Sequence, residues 1–274
     1  MSIKKINFFK LVASGNDFVV ILSKERVFKN RLLPALAKKM CAPKYGIGAD
    51  GLLVLEDSPV ADIRMRIFNP DGSEAQMCGN GARCVSLYVH RYIAAASRKI
   101  TLETKAGIIE AEVKKGNVKI KLTSPKDIKL DIPIILNQKK LKVHFINTGV
   151  PHTVVFSAGL DRIDVVGLGR LIRFHKKFLP QGTNVDFVEI LSDDKIRIRT
   201  YERGVEDETF ACGTGAVASA VLFVLRYGVL TRKIKVLTKS KEILKVYFEK
   251  EGDKFKNVWL EGKAKVVYQG VYYV

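Results

Sequence analysis

The chain has 274 residues, 47% of them hydrophobic, enough for one large or two ordinary packed domains and too many for a disordered chain. Its formal charge is +19, yet the lysines are scattered, and the basic clusters are short pairs such as Lys114-Lys115, Lys139-Lys140 and Lys176-Lys177 without interleaved aromatics. Charge spread in this way reads as a solvated surface, so no nucleic-acid partner is expected.

In chain order, Met1 to Lys10 reads as a first β-strand. Lys10 cuts the apolar stretch short, and Asn16-Asp17 follows where a signal peptide would be cleaved. Leu32, Leu33, Leu36, Ala37 and Met40 have helical spacing within the segment 24–45. Strands are predicted at Leu52 to Leu55, Ile63 to Phe68, Ile108 to Val113 and Val118 to Leu122. In the second half they fall at Val143 to Ile146, Thr153 to Phe156, Ile196 to Tyr201, Leu244 to Phe248, Val258 to Leu260 and Ala264 to Tyr268. The longest apolar run, Ala216 to Leu225, is broken by Ser219 and is too short to span a bilayer. No membrane partner is expected, and the predicted compartment is cytoplasmic. The Thr123-Ser124-Pro125 turn is the predicted boundary between a first half, 1–122, joined by a final strand 264–274, and a second half, 123–263.

Two cysteines open the same phrase. Cys78 begins Cys-Gly-Asn-Gly-Ala and Cys212 begins Cys-Gly-Thr-Gly-Ala, each leading into an apolar helical run. They stand 134 residues apart, as do the similar segments Ile100 to Thr104 and Ile234 to Thr238. Asp17 to Ile21 also resembles Asp186 to Ile190, so the chain reads as two copies of one unit. A thiol at a glycine-led helix start is expected to sit in an electropositive place and to be low in pKa. Two such thiols suggest an acid/base pair facing each other across a substrate. Gly79-Asn80 and Gly213-Thr214 would offer N–H groups to a carboxylate; alternatively the glycines serve turns or tight packing. Cys41 and Cys84 read as small core residues. No CxxC pair, secretion signal or metal-ligand spacing around His90, His144, His152 and His175 is present, so neither a disulfide framework nor a metal site is expected.

The surrounding motifs carry a family resemblance. Asn69-Pro70-Asp71-Gly72-Ser73-Glu74 followed by Met77 to Cys84 resembles the first signature of the diaminopimelate epimerase family. Tyr201-Glu202-Arg203-Gly204 followed by Glu208 to Gly215 resembles the second. Gly15 to Phe18, Pro151-His152 and Asn184-Val185 match as well. The resemblance implies an α/β (α+β) fold of two similar domains, each a rolled, mostly antiparallel sheet around a central helix, related by pseudo-two-fold symmetry. It also implies a homodimeric amino-acid epimerase (an isomerase) that uses no cofactor, pyridoxal phosphate included. Such an enzyme interconverts LL- and meso-diaminopimelate for lysine and peptidoglycan synthesis, with Cys78 and Cys212 as base and acid. By the same resemblance Asn16, Asn69, Asn184, Glu202 and Arg203 hold the amino-acid substrate, Gly79, Asn80, Gly213 and Thr214 cap its carboxylate, and His152 supports the site.

Plainer readings stand beside these. Asn16 and Asn69 suit turns, His152 suits a satisfied buried histidine, and Arg203 suits either a surface ion pair or a carboxylate fork. The chain departs from the family at Val150, where many members have asparagine, and at Gly51, where some have glutamine. Both changes remove polar groups and would relax substrate choice, unless Asn147 compensates. The proline-type racemases follow the first cysteine with Gly-His, and Asn80 argues against them. Related isomerases without the thiol pair are disfavoured by both cysteines.

Overall fold

The structure is a computed structural model that describes residues 5–23, 32–94 and 97–274. The start of the first predicted strand (1–4) and the opening of the predicted helical segment (24–31) lie outside the described residues. The chain divides into two compact units, Met1–Ile120 with Gly262–Val274, and Lys121–Glu261.

In the first unit β1 (Lys5–Ala13) and β2 (Asn16–Leu22) form an antiparallel hairpin. The chain then passes through α1 (Leu33–Cys41) to β3 (Gly51–Glu56), which lies parallel to β2. Strand β4 (Ile63–Phe68) returns antiparallel, and the two-residue β5 (Glu74–Ala75) leads into α2 (Gly79–Tyr92). After it β6 (Lys99–Thr104) runs parallel to β4, followed by antiparallel β7 (Gly107–Lys114) and β8 (Asn117–Lys121). The C-terminal strand, Lys265–Tyr273, closes the order by pairing antiparallel with β1.

The sheet is apolar on both faces because a helix covers each. Val19, Ile21, Leu52 and Val54 pack with Leu33, Leu36, Ala37, Met40 and Cys41 of α1. On the opposite face Leu53 meets α2 so closely that a Cβ at Gly81 would lie 3.2 Å from Leu53 Cδ2. Helix α2 is buried from Asn80 to Val89 and touches β1, β2, β4, β6, β7 and the C-terminal strand. Each fully buried Leu or Val contributes roughly 1.5–3 kcal/mol, so this wrapped helix is the mass of the core.

The second unit repeats the plan. Its elements are β9 (Lys126–Leu136), β10 (Lys139–Asn147), β11 (Pro151–Phe156), α3 (Val165–Arg173), β12 (Asn184–Ser192), β13 (Lys195–Glu202) and β14 (Asp207–Thr209). There follow α4 (Gly213–Tyr227), β15 (Lys233–Leu237), β16 (Ile243–Glu251) and β17 (Lys254–Lys263). Pairing senses match strand for strand: β11–β12 and β13–β15 are parallel where β2–β3 and β4–β6 are, and the rest are antiparallel. Helix α4 is buried from Gly215 to Val224 and ends at Gly228, whose φ of 66° suits only glycine comfortably. The fold is thus α+β, a repeated unit of mixed, mostly antiparallel sheet around one interior helix.

The equivalence corrects one sequence match. β6 corresponds to β15, as expected from their spacing, but β12 corresponds to β3 and not to β2. The likeness of 17–21 to 186–190 is shared strand composition without shared position. Besides the short β5 and β14, two longer elements escaped the sequence reading. β9 contains Pro133 and is mostly exposed, which hides its alternation. Helix α3 carries Gly167 and Gly169, poor helix formers that packing imposes. A Cβ at Gly169 would lie 2.5 Å from Tyr201 Cβ and 2.7 Å from its Cγ. No helix among the described residues is long and apolar enough to cross a membrane.

Because Tyr201 is fully buried, it has no room to retreat. Gly169→Ala should lower stability by about 1–3 kcal/mol despite the better helix propensity of alanine. Urea unfolding checks this, and an unchanged or raised midpoint would refute the packing argument.

Candidate active site

Each interior helix begins at a cysteine. Cys78 has extended backbone (φ −140°, ψ 119°) and its sulfur accepts the Gly81 N–H at 3.4 Å. Cys212 does the same (φ −118°, ψ 116°), accepting from Gly215 N at 3.4 Å. The first backbone helical bonds, Ala82 N to Cys78 O and Ala216 N to Cys212 O, begin beyond the glycine pairs. The N–H groups of Gly79, Asn80, Gly213 and Thr214 therefore belong to the first turn, where helices lack internal acceptors.

The glycines divide by role. A Cβ at Gly215 would collide with Asp186 Oδ1, so this glycine is a packing requirement, while one at Gly81 would crowd Leu53 Cδ2 at 3.2 Å. A Cβ at Gly79 would meet only Ile120 Cδ1, at 3.5 Å, and one at Gly213 only the end of Leu260, at 2.9 Å. Packing therefore does not demand glycine at Gly79, whereas a side chain at Gly213 would have to displace the end of Leu260.

Around Cys78 the first unit places two amides, held in turn by a carboxylate and a guanidinium. Asn80 Nδ2 donates to Asn16 Oδ1 at 2.6 Å, and Asn16 Nδ2 donates to Asp50 Oδ2 at 3.0 Å. The buried Arg83 guanidinium donates to Asn80 Oδ1, to Ser14 Oγ at 3.0 Å and to the Lys263 carbonyl at 3.0 Å. Asn69 sits apart from this network: its Nδ2 donates to Ser73 Oγ at 2.9 Å within its own turn. Gly51 is tight, since a Cβ there would lie 3.2 Å from Phe68 O and 3.4 Å from Phe18.

Around Cys212 the second unit is built from ionisable groups. The Thr214 hydroxyl lies 3.3 Å from Cys212 Sγ and 2.9 Å from His152 Nε2. His152 Nδ1 lies 2.7 Å from Asp186 Oδ2, and Asp186 Oδ1 accepts from Thr200 Oγ1 at 2.7 Å. A carboxylate only accepts, so Nδ1 carries the proton. In the neutral ring Nε2 then accepts from Thr214. Asn184 Nδ2 donates to Pro151 O at 3.3 Å, and its Oδ1 accepts the Arg203 N–H at 2.8 Å. The Arg203 side chain donates to the Gln181 carbonyl at 3.0 Å. Asn147 caps the neighbouring turn by accepting from Gly149 N at 3.0 Å beside Val150.

The expectation of a low thiol pKa is reversed at Cys212. Burial, then the charges of Glu202 and Asp186, push this thiol well above 9.0, and the Thr214 and Gly215 hydrogen bonds only partly oppose them. Burial likewise raises the Glu202 carboxyl above 4.5. The repeat makes the contrast specific: Leu53 and Phe18 in the first unit occupy the places of Asp186 and His152 in the second. Asp186 was missed as a site residue, although a carboxylate flanked by Val185, Phe187 and Val188 in one strand is a legible anomaly. Cys41 and Cys84 are buried core residues, and burial pushes the Cys41 thiol up to about 11. Among the described residues no group of three or more His, Cys, Asp or Glu is placed to hold a metal ion.

Comparison with known proteins agrees in kind. The family model described as diaminopimelate epimerase matches residues 8–127 and 144–267. The diaminopimelate epimerase of Aquifex aeolicus is 42% identical over 97% of both chains. That of Archaeoglobus fulgidus is 40% identical over 97% of this chain and 96% of its own. Among solved structures, a phenazine biosynthesis protein of the PhzF family from Bacillus anthracis shares the fold with TM-score 0.76 at 19% identity, covering 99% of this chain and all of its own. A hydroxyproline epimerase from Agrobacterium vitis does so with TM-score 0.73 at 16% identity, covering 100% and 92%.

The raised thiol of Cys212 has a direct chemical readout. At about pH 8 iodoacetamide should label Cys212 more slowly than free cysteine, because only the thiolate reacts. Its rate should keep climbing beyond pH 9.0, where a thiol of ordinary value begins to level off. Peptide mapping follows the site, and fast labelling near neutral pH would contradict the raised value.

Proposed function

The chain belongs to the diaminopimelate epimerase family, and from that premise we propose that it interconverts LL- and meso-diaminopimelate by proton exchange between two thiols, without a cofactor. The observation that carries this reading is the repeated placement of Cys78 and Cys212, each capping the start of an interior helix. One thiolate takes the Cα proton as the C–H bond breaks, and the other thiol delivers its proton to the opposite face of the same carbon. The roles exchange with the direction of reaction.

The Cα proton is a very weak acid, so the developing negative charge needs support from the substrate carboxylate. The first-turn N–H groups of Gly79-Asn80 and Gly213-Thr214 are suited to that, as donors at a positive helix end. Gly79 is free of packing demands, which favours approach of a ligand as its purpose. Asn16, Asn69, Asn184, Glu202 and Arg203 hold the remaining polar ends, the arginine as a carboxylate fork. His152, anchored by Asp186, orients the thiol of Cys212 through Thr214. In the resting enzyme the raised Cys212 thiol carries its proton. A substrate ammonium near Glu202 and Asp186 would offset the charges that raise Cys212, letting it act as base in one direction. A homodimer in the cytoplasm, serving lysine and peptidoglycan precursor synthesis, completes the proposal, with substrate choice relaxed by Gly51 and Val150.

Incubation with LL-diaminopimelate in heavy water tests it. Deuterium should enter the α-carbon as the meso form accumulates, with nothing added. Cys78→Ala and Cys212→Ala should each lose net inversion by about 10²- to 10⁴-fold, the usual worth of a positioned acid or base. Full turnover in either variant would remove that thiol from the mechanism. A panel of other amino acids in the same assay reads the selectivity, and strict preference for diaminopimelate would refute its relaxation.

A further inference from the structure

Four residues before each cysteine stands a glutamate, and both glutamates are held in the same way. Arg66 on β4 grips Glu74 with two parallel bonds, Nε to Oε1 at 2.8 Å and Nη2 to Oε2 at 3.1 Å, while Lys105 Nζ approaches Oε2 at 2.7 Å. Arg199 on β13 grips Glu208 likewise, at 2.7 and 2.8 Å, with Lys239 Nζ at 2.9 Å. The register is the same: Glu74 lies opposite Phe68 and Glu208 opposite Tyr201, each arginine being two residues before that partner. Unlike the residues behind the thiols, which differ between the units, this trio is kept in both.

The lead-in from clamp to thiol is three residues long and exposes Gln76 in one unit and Phe210 in the other. A fork of two charge-assisted bonds fixes both the position and the plane of the carboxylate, which a single apolar contact would not. In the second unit the tether is doubled, since Ser240 N, beside Lys239, donates to Phe210 O at 3.0 Å. Glu208 is only 7% exposed and Arg199 20%, so neither charge can relax into water when its partner is lost.

We infer that the trios Arg66–Glu74–Lys105 and Arg199–Glu208–Lys239 are positioning devices, each setting where its own thiol, Cys78 or Cys212, stands relative to the carbon it serves. The inference rests on the two-thiol reading above. Its consequence is one-sided damage. When one thiol is misplaced, the other still takes the Cα proton, its sulfur exchanges that proton for a solvent deuteron, and a C–D bond forms on the same face. The substrate is labelled without being inverted.

The test uses Glu74→Gln and Glu208→Gln, with Arg66→Lys and Arg199→Lys as second variants that keep the charge and lose the fork. Each full-length variant is checked for folding by circular dichroism, then given LL- and meso-diaminopimelate separately in heavy water. Inversion should fall about 10²-fold, the scale of a misplacement near 1 Å, with KM little changed. Glu208→Gln should label recovered substrate faster than product from one isomer only, and Glu74→Gln from the other isomer only. Folded variants that lose exchange and inversion in equal proportion from both isomers, or that keep wild-type rates, overturn the clamps as positioning devices. Absence of label in the wild-type enzyme overturns the two-thiol reading itself.

Discussion

A sulfur atom is a poor helix cap. Serine, threonine, asparagine and aspartate accept first-turn N–H groups at shorter range and far better, whereas both interior helices here begin on a thiol 3.4 Å from its donor. The weakness falls at the same place twice, and local sequence preference fails at functional positions more often than elsewhere. Much of each unit compensates for it. Ten consecutive residues of α2 and ten of α4 are buried, so the helices are held by their apolar walls and not by their ends. The cap is then free to be chosen for chemistry.

That freedom is used differently in the two units. With one topology and one register, the first unit puts Leu53 behind its helix start and the second puts Asp186 there. The apolar version leaves Cys78 among amides, with Asn80 bonded to Asn16. The acidic version strings Cys212, Thr214, His152 and Asp186 on one line of hydrogen bonds, all buried but the half-buried Thr214. Burial and two carboxylates outweigh the helix terminus and hold the thiol protonated. A duplicated scaffold has become chemically unequal through substitutions at two strand positions, while its backbone stayed equal.

The repeat was legible because the cysteine phrases and the segments after the helices keep the same spacing, and both lie on β6–β15 and α2–α4 equivalents. The buried helices were legible from residues apolar on every side. The strand match of 17–21 with 186–190 misled, since Val, Ile and Phe recur in any buried strand and do not report its place in a sheet. Helix α3 was hidden by Gly169, which exists to make room for Tyr201, a contact thirty-two residues away that no local pattern encodes. The site was legible where a residue type is unusual in context, as with the thiols and His152. Bonding partners were illegible: the signature that contains Asn69 does not say that its amide meets Ser73 in its own turn.

The same distinction explains why the segment before each thiol is held by charge. Such a segment must reach the rim of a packed helix without being drawn into it. Apolar contacts would pull it toward the core and would tolerate sliding, since hydrophobic attraction has no direction. A fork of hydrogen bonds from a strand arginine tolerates neither shift nor rotation, and it works at the partial exposure found here, with Arg66 at 12% and Glu74 at 16%. Burial alone would raise the Glu74 carboxyl, but Arg66 and Lys105 hold it below its usual value, so the clamp stays ionised across neutral pH. Three constraints of different kinds thus meet at each sulfur. The core fixes the helix axis, the ion pair fixes the approach of the chain, and the weak cap leaves the sulfur's remaining valence for a proton.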